Sequence, residues 1–250
     1  MTLTTATAYV ALIFLLAGAI KGIVGLGLPT VAMGLLSLRM PPAEAAAILL
    51  LPSFITNLWQ LAEGPRLGTL VRRLWPTLVA IFVSTIIAAG VIASTRSTIA
   101  SAALGAALLL YAAAGLLNFH MNVSNQAERW AGPVVGFVTG LITGVTGTFV
   151  VPAVPYLAGL SLARDELVQA LGLSFTVSTV ALGLGLLWHD ALELQAISNS
   201  AFALVPALLG MMAGGWIRRR VTPERFRRWF FIGLSLLALH LIYAATWRFV

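Results

Sequence analysis

Cysteine is absent from the 250 residues. Disulfides, thiolate metal sites and cysteine nucleophiles are therefore excluded. Charge is scarce as well: 9% of the residues are charged, against roughly 25% in a soluble domain. Acids are scarcest, with 8 Asp and Glu against 15 Lys and Arg, and Lys21 is the only lysine. No glycine-rich loop ends in Gly-Lys-Ser/Thr, so the chain carries no ATPase signature of its own. His-Glu-x-x-His and Gly-x-Ser-x-Gly are also missing, and no pair of acids is expected within the membrane. The expectation is a protein without enzymatic activity, cofactor or metal site.

What is present is apolar sequence. Hydrophobic residues make up 60% of the chain, and the mean hydropathy is +0.98. One soluble core cannot hide that much apolar surface at this length, so lipid is the expected solvent. The net charge of +7 would suit nucleic acid. Its arginines, however, sit between apolar runs, where they act as topological anchors instead. The opening MTLTTATA lacks a basic region and is expected to begin a membrane segment rather than a cleaved signal.

Eight apolar segments fall near 6–38, 43–62, 74–94, 98–119, 131–160, 163–188, 196–217 and 224–246. A spanning helix needs about 20 residues, and six segments fit one crossing. The first and fifth run too long for a core of about 30 Å. Each is also interrupted by glycine and proline, through Gly18, Gly22, Gly25, Gly27 and Pro29 in one and Gly140, Gly144, Gly147, Pro152 and Pro155 in the other. These segments are expected to be broken or re-entrant, because both residue types weaken helices.

The breaks occupy matching places. Gly18, Gly22 and Gly25 align with Gly140, Gly144 and Gly147 at one offset, and Ser53-Phe54 aligns with Ser174-Phe175. The fold expected is an all-α integral membrane protein of two four-segment repeats, 1–122 and 123–250, forming one membrane domain. If all eight segments cross, nine arginines fall inside and five outside; if the first and fifth return to their own side, the counts are eleven and three. The second arrangement obeys the positive-inside rule better and makes the repeats inverted. Either arrangement puts both termini outside. Matching interrupted segments point to a transporter's binding site.

Lys21 lies inside an apolar run just before the first break. It is either an anion-binding cation near the bilayer midplane or a lysine snorkelling to an interface. The breaks themselves, at Gly25 and Gly27 and at Thr146, Gly147 and Thr148, would offer backbone N–H groups and hydroxyls to an anion, facing each other across one site. The same glycines also form small-xxx-small packing motifs. Ser53 and Asn57, and Ser174 and Ser178, share helix faces at i, i+4 spacing, where they can line a pathway or bond between helices. The substrate-binding set is thus Lys21, Gly25, Gly27, Ser53, Asn57, Thr146, Gly147, Thr148, Ser174 and Ser178.

On the motifs Gly22-Ile-Val-Gly25-Leu-Gly27-Leu-Pro29 and Gly144-Val-Thr-Gly147-Thr148-Phe-Val-Val-Pro152, and on its length and duplication, the chain resembles the sulfite exporter TauE/SafE family of bacterial membrane permeases. The resemblance implies a multi-pass protein of the bacterial inner membrane. Its implied substrate is a small sulfur-containing anion, sulfite or an organosulfonate such as sulfoacetate, exported from the cell; the mechanism expected is alternating access around a central site. An anion channel, or an assembly subunit that moves nothing alone, stays open beside it. The partners expected are the anion and the lipid bilayer, with a homodimer admitted and no nucleic acid.

Overall fold

The computed structural model describes residues 3–94, 97–218, 220 and 223–247, and every element among them is helical. In chain order they are α1 (Leu3–Val24), α2 (Leu28–Leu36), α3 (Pro42–Ala62), α4 (Leu67–Ala93), α5 (Ser97–Leu116), α6 (Asn125–Thr146), α7 (Ala153–Ala158), α8 (Arg164–Trp188), α9 (Leu194–Ile217) and α10 (Pro223–Trp247). Seven of them, α1, α3, α4, α5, α8, α9 and α10, are long and apolar enough to cross a membrane. α6 has 22 residues and hence the length, but threonine, glycine and Arg129 lower its hydropathy. Large apolar side chains such as Leu12, Ile87, Leu110, Met212 and Leu236 face outward, as lipid-facing surfaces require.

Both long segments are broken where glycine and proline stand. α1 has 22 residues and is about 33 Å long, enough for a full crossing. Gly25 then takes a φ of 83° and donates its N–H to the Lys21 carbonyl at 2.7 Å. α2 has only nine residues and turns back along α1, so that the Tyr9 hydroxyl donates to the Leu35 carbonyl at 2.5 Å. The second break is built alike. Gly147, at φ 70°, caps α6 by donating to the Thr143 carbonyl at 2.7 Å. The chain then returns through α7, where Met121 N–H reaches the Pro155 carbonyl at 3.1 Å. Each break is therefore a long helix followed by a short return, not a symmetric hairpin.

The most extensive pairings are α1 with α9 and α4 with α6, and small residues make both possible. A Cβ added at Gly18 would lie 2.2 Å from the Ala207 carbonyl oxygen, and one at Gly140 would lie 2.5 Å from that of Ile81. The contacts also fix direction. Gly18 meets Ala207 while Gly22 meets Met211, and Gly132 meets Thr77 while Gly144 meets Ala88, so both pairs are parallel. By contrast Gly172 meets Leu61 while Gly183 meets Leu50, and Gly105 meets Ile242 while Gly115 meets Phe231, so α3/α8 and α5/α10 are antiparallel. α1, α3, α5 and α9 consequently run one way, and α4, α6, α8 and α10 the other.

These directions gather Arg66, Arg72, Arg73, Arg129, Arg164, Arg218, Arg220, Arg225, Arg227 and Arg228 at one end of the bundle and leave Arg39 at the other. Arg96, Arg219 and Arg248, which also entered the charge count, lie outside the described residues. Two ion pairs, Arg66–Glu166 at 3.0 Å and Arg73–Glu128 at 2.6 Å, tie helix starts together at the arginine-rich end.

Candidate functional site

α3 starts with Pro42 at its first position, and from there its polar residues recur on one face: Ser53, Thr56, Asn57 and Gln60, all buried. That face meets the end of α1. Lys21 is 4% exposed. Its ammonium donates to Thr56 Oγ1 at 3.1 Å and to Asn57 Oδ1. Two of its three N–H donors are therefore used, both on neutral oxygens, and among the described residues Lys21 forms no ion pair. Gln60 Nε2 donates to the Gly25 carbonyl at 2.9 Å and holds the break against α3.

Several polar atoms beside this ammonium are unpaired. Ser53 Oγ, Asn57 Nδ2 and Gln60 Oε1 are buried and have no hydrogen-bond partner. A buried polar atom without a partner costs about 1–3 kcal/mol, so these three residues of one α3 face carry unspent hydrogen-bonding capacity. Beside Lys21 lies a cavity of about 290 Å³ lined by Lys21, Gly25, Thr56, Gln60, Glu63, Arg164 and Arg218 among others; of the three residues with unpaired atoms, Gln60 lines it. It opens toward the arginine-rich end. A cation thus lies at its floor, and two guanidinium groups and one carboxylate stand at its mouth.

The expected residues separate into two groups. Lys21, Gly25, Ser53 and Asn57 belong to the α1–α3 group. Gly27 lies beside it as the N-cap of α2, its carbonyl accepting from Thr30 Oγ1 and from Val31 N–H, each at 2.9 Å. Thr146, Gly147, Thr148, Ser174 and Ser178 form a second group around α6 and α8, and none of them lines the Lys21 cavity. The hydroxyls of Thr146, Thr148 and Ser178 are bonded within this group. Thr146 and Thr148 pair at 2.9 Å, and Ser178 Oγ donates to the Ser174 carbonyl at 2.9 Å. Thr139 Oγ1, one turn before Thr143, is the buried atom there without a partner.

Nor do the breaks face each other across one site. Gly25 meets Gln60, whereas a Cβ on Gly147 would touch Ala46. Those two α3 positions differ by 14 residues, about 21 Å along a helix. Lys21, level with Asn57, lies about 7 Å from the middle of α3 toward the arginine-rich end. The glycines divide by task too. Gly18, Gly22, Gly140 and Gly144 are packing contacts, whereas a Cβ at Gly25 would meet nothing within 4 Å.

Three contributors escaped the sequence reading. Arg164 and Arg218 were legible only as topological anchors. Gln169, 1% exposed, ties the end of α3 to α8: its Nε2 donates to the Leu61 and Gly64 carbonyls at 2.9 and 2.7 Å, and its Oε1 accepts from Arg66 N–H at 2.9 Å. The only signal for it was a lone amide in an apolar segment.

Long apolar helices, outward apolar faces and a buried cation at the floor of a cavity are the features of a multi-pass membrane protein of the transporter class. The family model described as Sulfite exporter TauE/SafE matches residues 10–241. The chain belongs to the sulfite exporter TauE/SafE family. No curated protein and no solved structure matches it.

Proposed function

We propose that this chain is a secondary transporter that exports a small sulfur-containing anion, sulfite or an organosulfonate, by alternating access around Lys21. One observation carries the reading: a buried ammonium with no carboxylate partner among the described residues, at the floor of a cavity with arginines at its mouth. Burying an unpaired charge is costly. An anion arriving through the mouth supplies the missing counter-charge. The free Lys21 N–H and Asn57 Nδ2 donate to its oxygens, and Ser53 Oγ adds a hydroxyl donor.

The halves 1–122 and 123–250 are read as inverted repeats. This is supported by α1–α5 running opposite to their counterparts α6–α10, and by α1 pairing with α9 as α6 pairs with α4. Taking the arginine-rich end as cytoplasmic puts both termini outside the bacterial inner membrane and opens the Lys21 cavity to the cytoplasm. An inside-negative potential then favours anion export by about 2.3 kcal/mol per charge per 100 mV, without a coupling ion.

Thermal stability of the purified protein against sulfite, sulfate, thiosulfate, sulfoacetate, taurine, acetate and chloride tests this. A ligand at 100 times its dissociation constant adds about 2.7 kcal/mol. Stabilisation by sulfite or a sulfonate, and not by acetate or chloride, is expected. No response to any sulfur anion would reject the reading.

A further inference from the structure

A second cavity of about 510 Å³ opens at the same end, between α5, α7, α8, α10 and the first break. Its volume falls in the range of roughly 300–1,000 Å³ typical of small-molecule sites. Its wall is mostly apolar, with Val24, Leu171 and Phe231 among the lining residues. Tyr111, Asn118, His120 and Arg227 break that apolar character. Tyr111, 2% exposed, packs edge-on against Phe231 at 5.2 Å, and its hydroxyl has no hydrogen-bond partner. Just past the end of α5, Asn118 accepts from Arg227, which forms no ion pair among the described residues. Among the described residues no carboxylate lines the cavity.

We infer that this cavity is a second ligand site, separate from Lys21, that takes a small amphipathic anion: a negative head on Arg227, an apolar body against Phe231 and Leu171, and a polar contact to the Tyr111 hydroxyl. A guanidinium without an acid partner among the described residues selects the anionic head. The apolar wall between the two polar points selects a hydrocarbon body over a compact oxyanion. Val24 lines both cavities, so they share the wall formed by the break.

Octanoate is the probe, titrated calorimetrically into the full-length protein in phosphatidylcholine nanodiscs, with empty nanodiscs as reference. Saturable binding of octanoate at one site is expected, with octanol and octylamine at least tenfold weaker. Arg227→Gln should weaken octanoate at least tenfold and Tyr111→Phe about threefold, the latter keeping the ring and its packing. Lys21→Met should bind octanoate as the wild type does, so this site and the sulfur-anion site can fail independently. Equal binding of octanol, no saturable octanoate binding, or an Arg227→Gln protein that binds like wild type would overturn the assignment. So would phosphatidylglycerol that co-purifies with the wild type and is lost from Arg227→Gln in native mass spectrometry, which would make the cavity a lipid headgroup site.

Discussion

Replacing Lys21 by methionine removes the charge and keeps most of the side chain's length. The ammonium is buried, unpaired with any acid and bonded to two neutral oxygens. Removing one partner of a desolvated charge contact costs about 2–5 kcal/mol. At 1.4 kcal/mol per decade, binding of the sulfur anion should weaken from about 30-fold to a few thousand-fold. Unliganded stability should respond differently. Thr56 Oγ1 keeps its bond to the Pro52 carbonyl at 2.7 Å, whereas Asn57 Oδ1 loses its donor at a cost of about 1–3 kcal/mol. Loss of a buried, uncompensated charge offsets that cost. The net change should stay within about 2 kcal/mol. Equilibrium binding of labelled sulfite, alongside thermal melting without ligand, separates the two effects. A Lys21→Met protein that binds within threefold of wild type would refute the reasoning. So would one that no longer folds, because Lys21 would then be a structural residue.

Three further predictions concern the frame of the site. Gln169→Leu leaves two carbonyls and one N–H at the end of α3 without partners, and should lower unfolding stability by about 2–4 kcal/mol in a denaturant titration. At Gly22, a Cβ would lie 2.2 Å from the Met211 carbonyl oxygen, so Gly22→Leu should destabilise the α1–α9 contact by about 3 kcal/mol or more, read as lost folded yield and a lower melting midpoint. The chain has no native cysteine, which makes single-cysteine labelling clean: Gly68→Cys should react with impermeant maleimide only from the cytoplasm, and Leu38→Cys only from outside.

Much of the frame was legible because its physics is local. Glycine and proline weaken a helix wherever they stand, so Gly25 and Gly147 marked breaks that the structure contains. Lys21 stood out because a charge in an apolar run must find compensation. What was not legible depends on height and partnership across the bundle. Nothing along the chain says that Gly25 meets Gln60 while Gly147 meets Ala46, and that difference separates two breaks expected to face each other. Nor does the duplicated motif reveal that Thr146 and Thr148 bond to each other while Asn57 and Gln60 keep unpaired atoms. Gln169 bridges residues more than a hundred positions away, and an amide carries no spacing signal for such a contact. Arg164 and Arg218 had a sufficient explanation as anchors, and only the cavity shows that they also stand at its mouth.

The central claim is that an anion leaves the cytoplasm by way of Lys21. Labelled sulfite efflux from proteoliposomes, driven by a valinomycin-set potassium potential and restricted to molecules oriented by single-cysteine labelling, measures it directly. The account predicts efflux that rises when the side bearing the arginine-rich end is made negative, and that falls at least 30-fold in Lys21→Met at low sulfite concentration. Efflux that persists unchanged in Lys21→Met, or no sulfur-anion flux from folded wild-type protein, would contradict it.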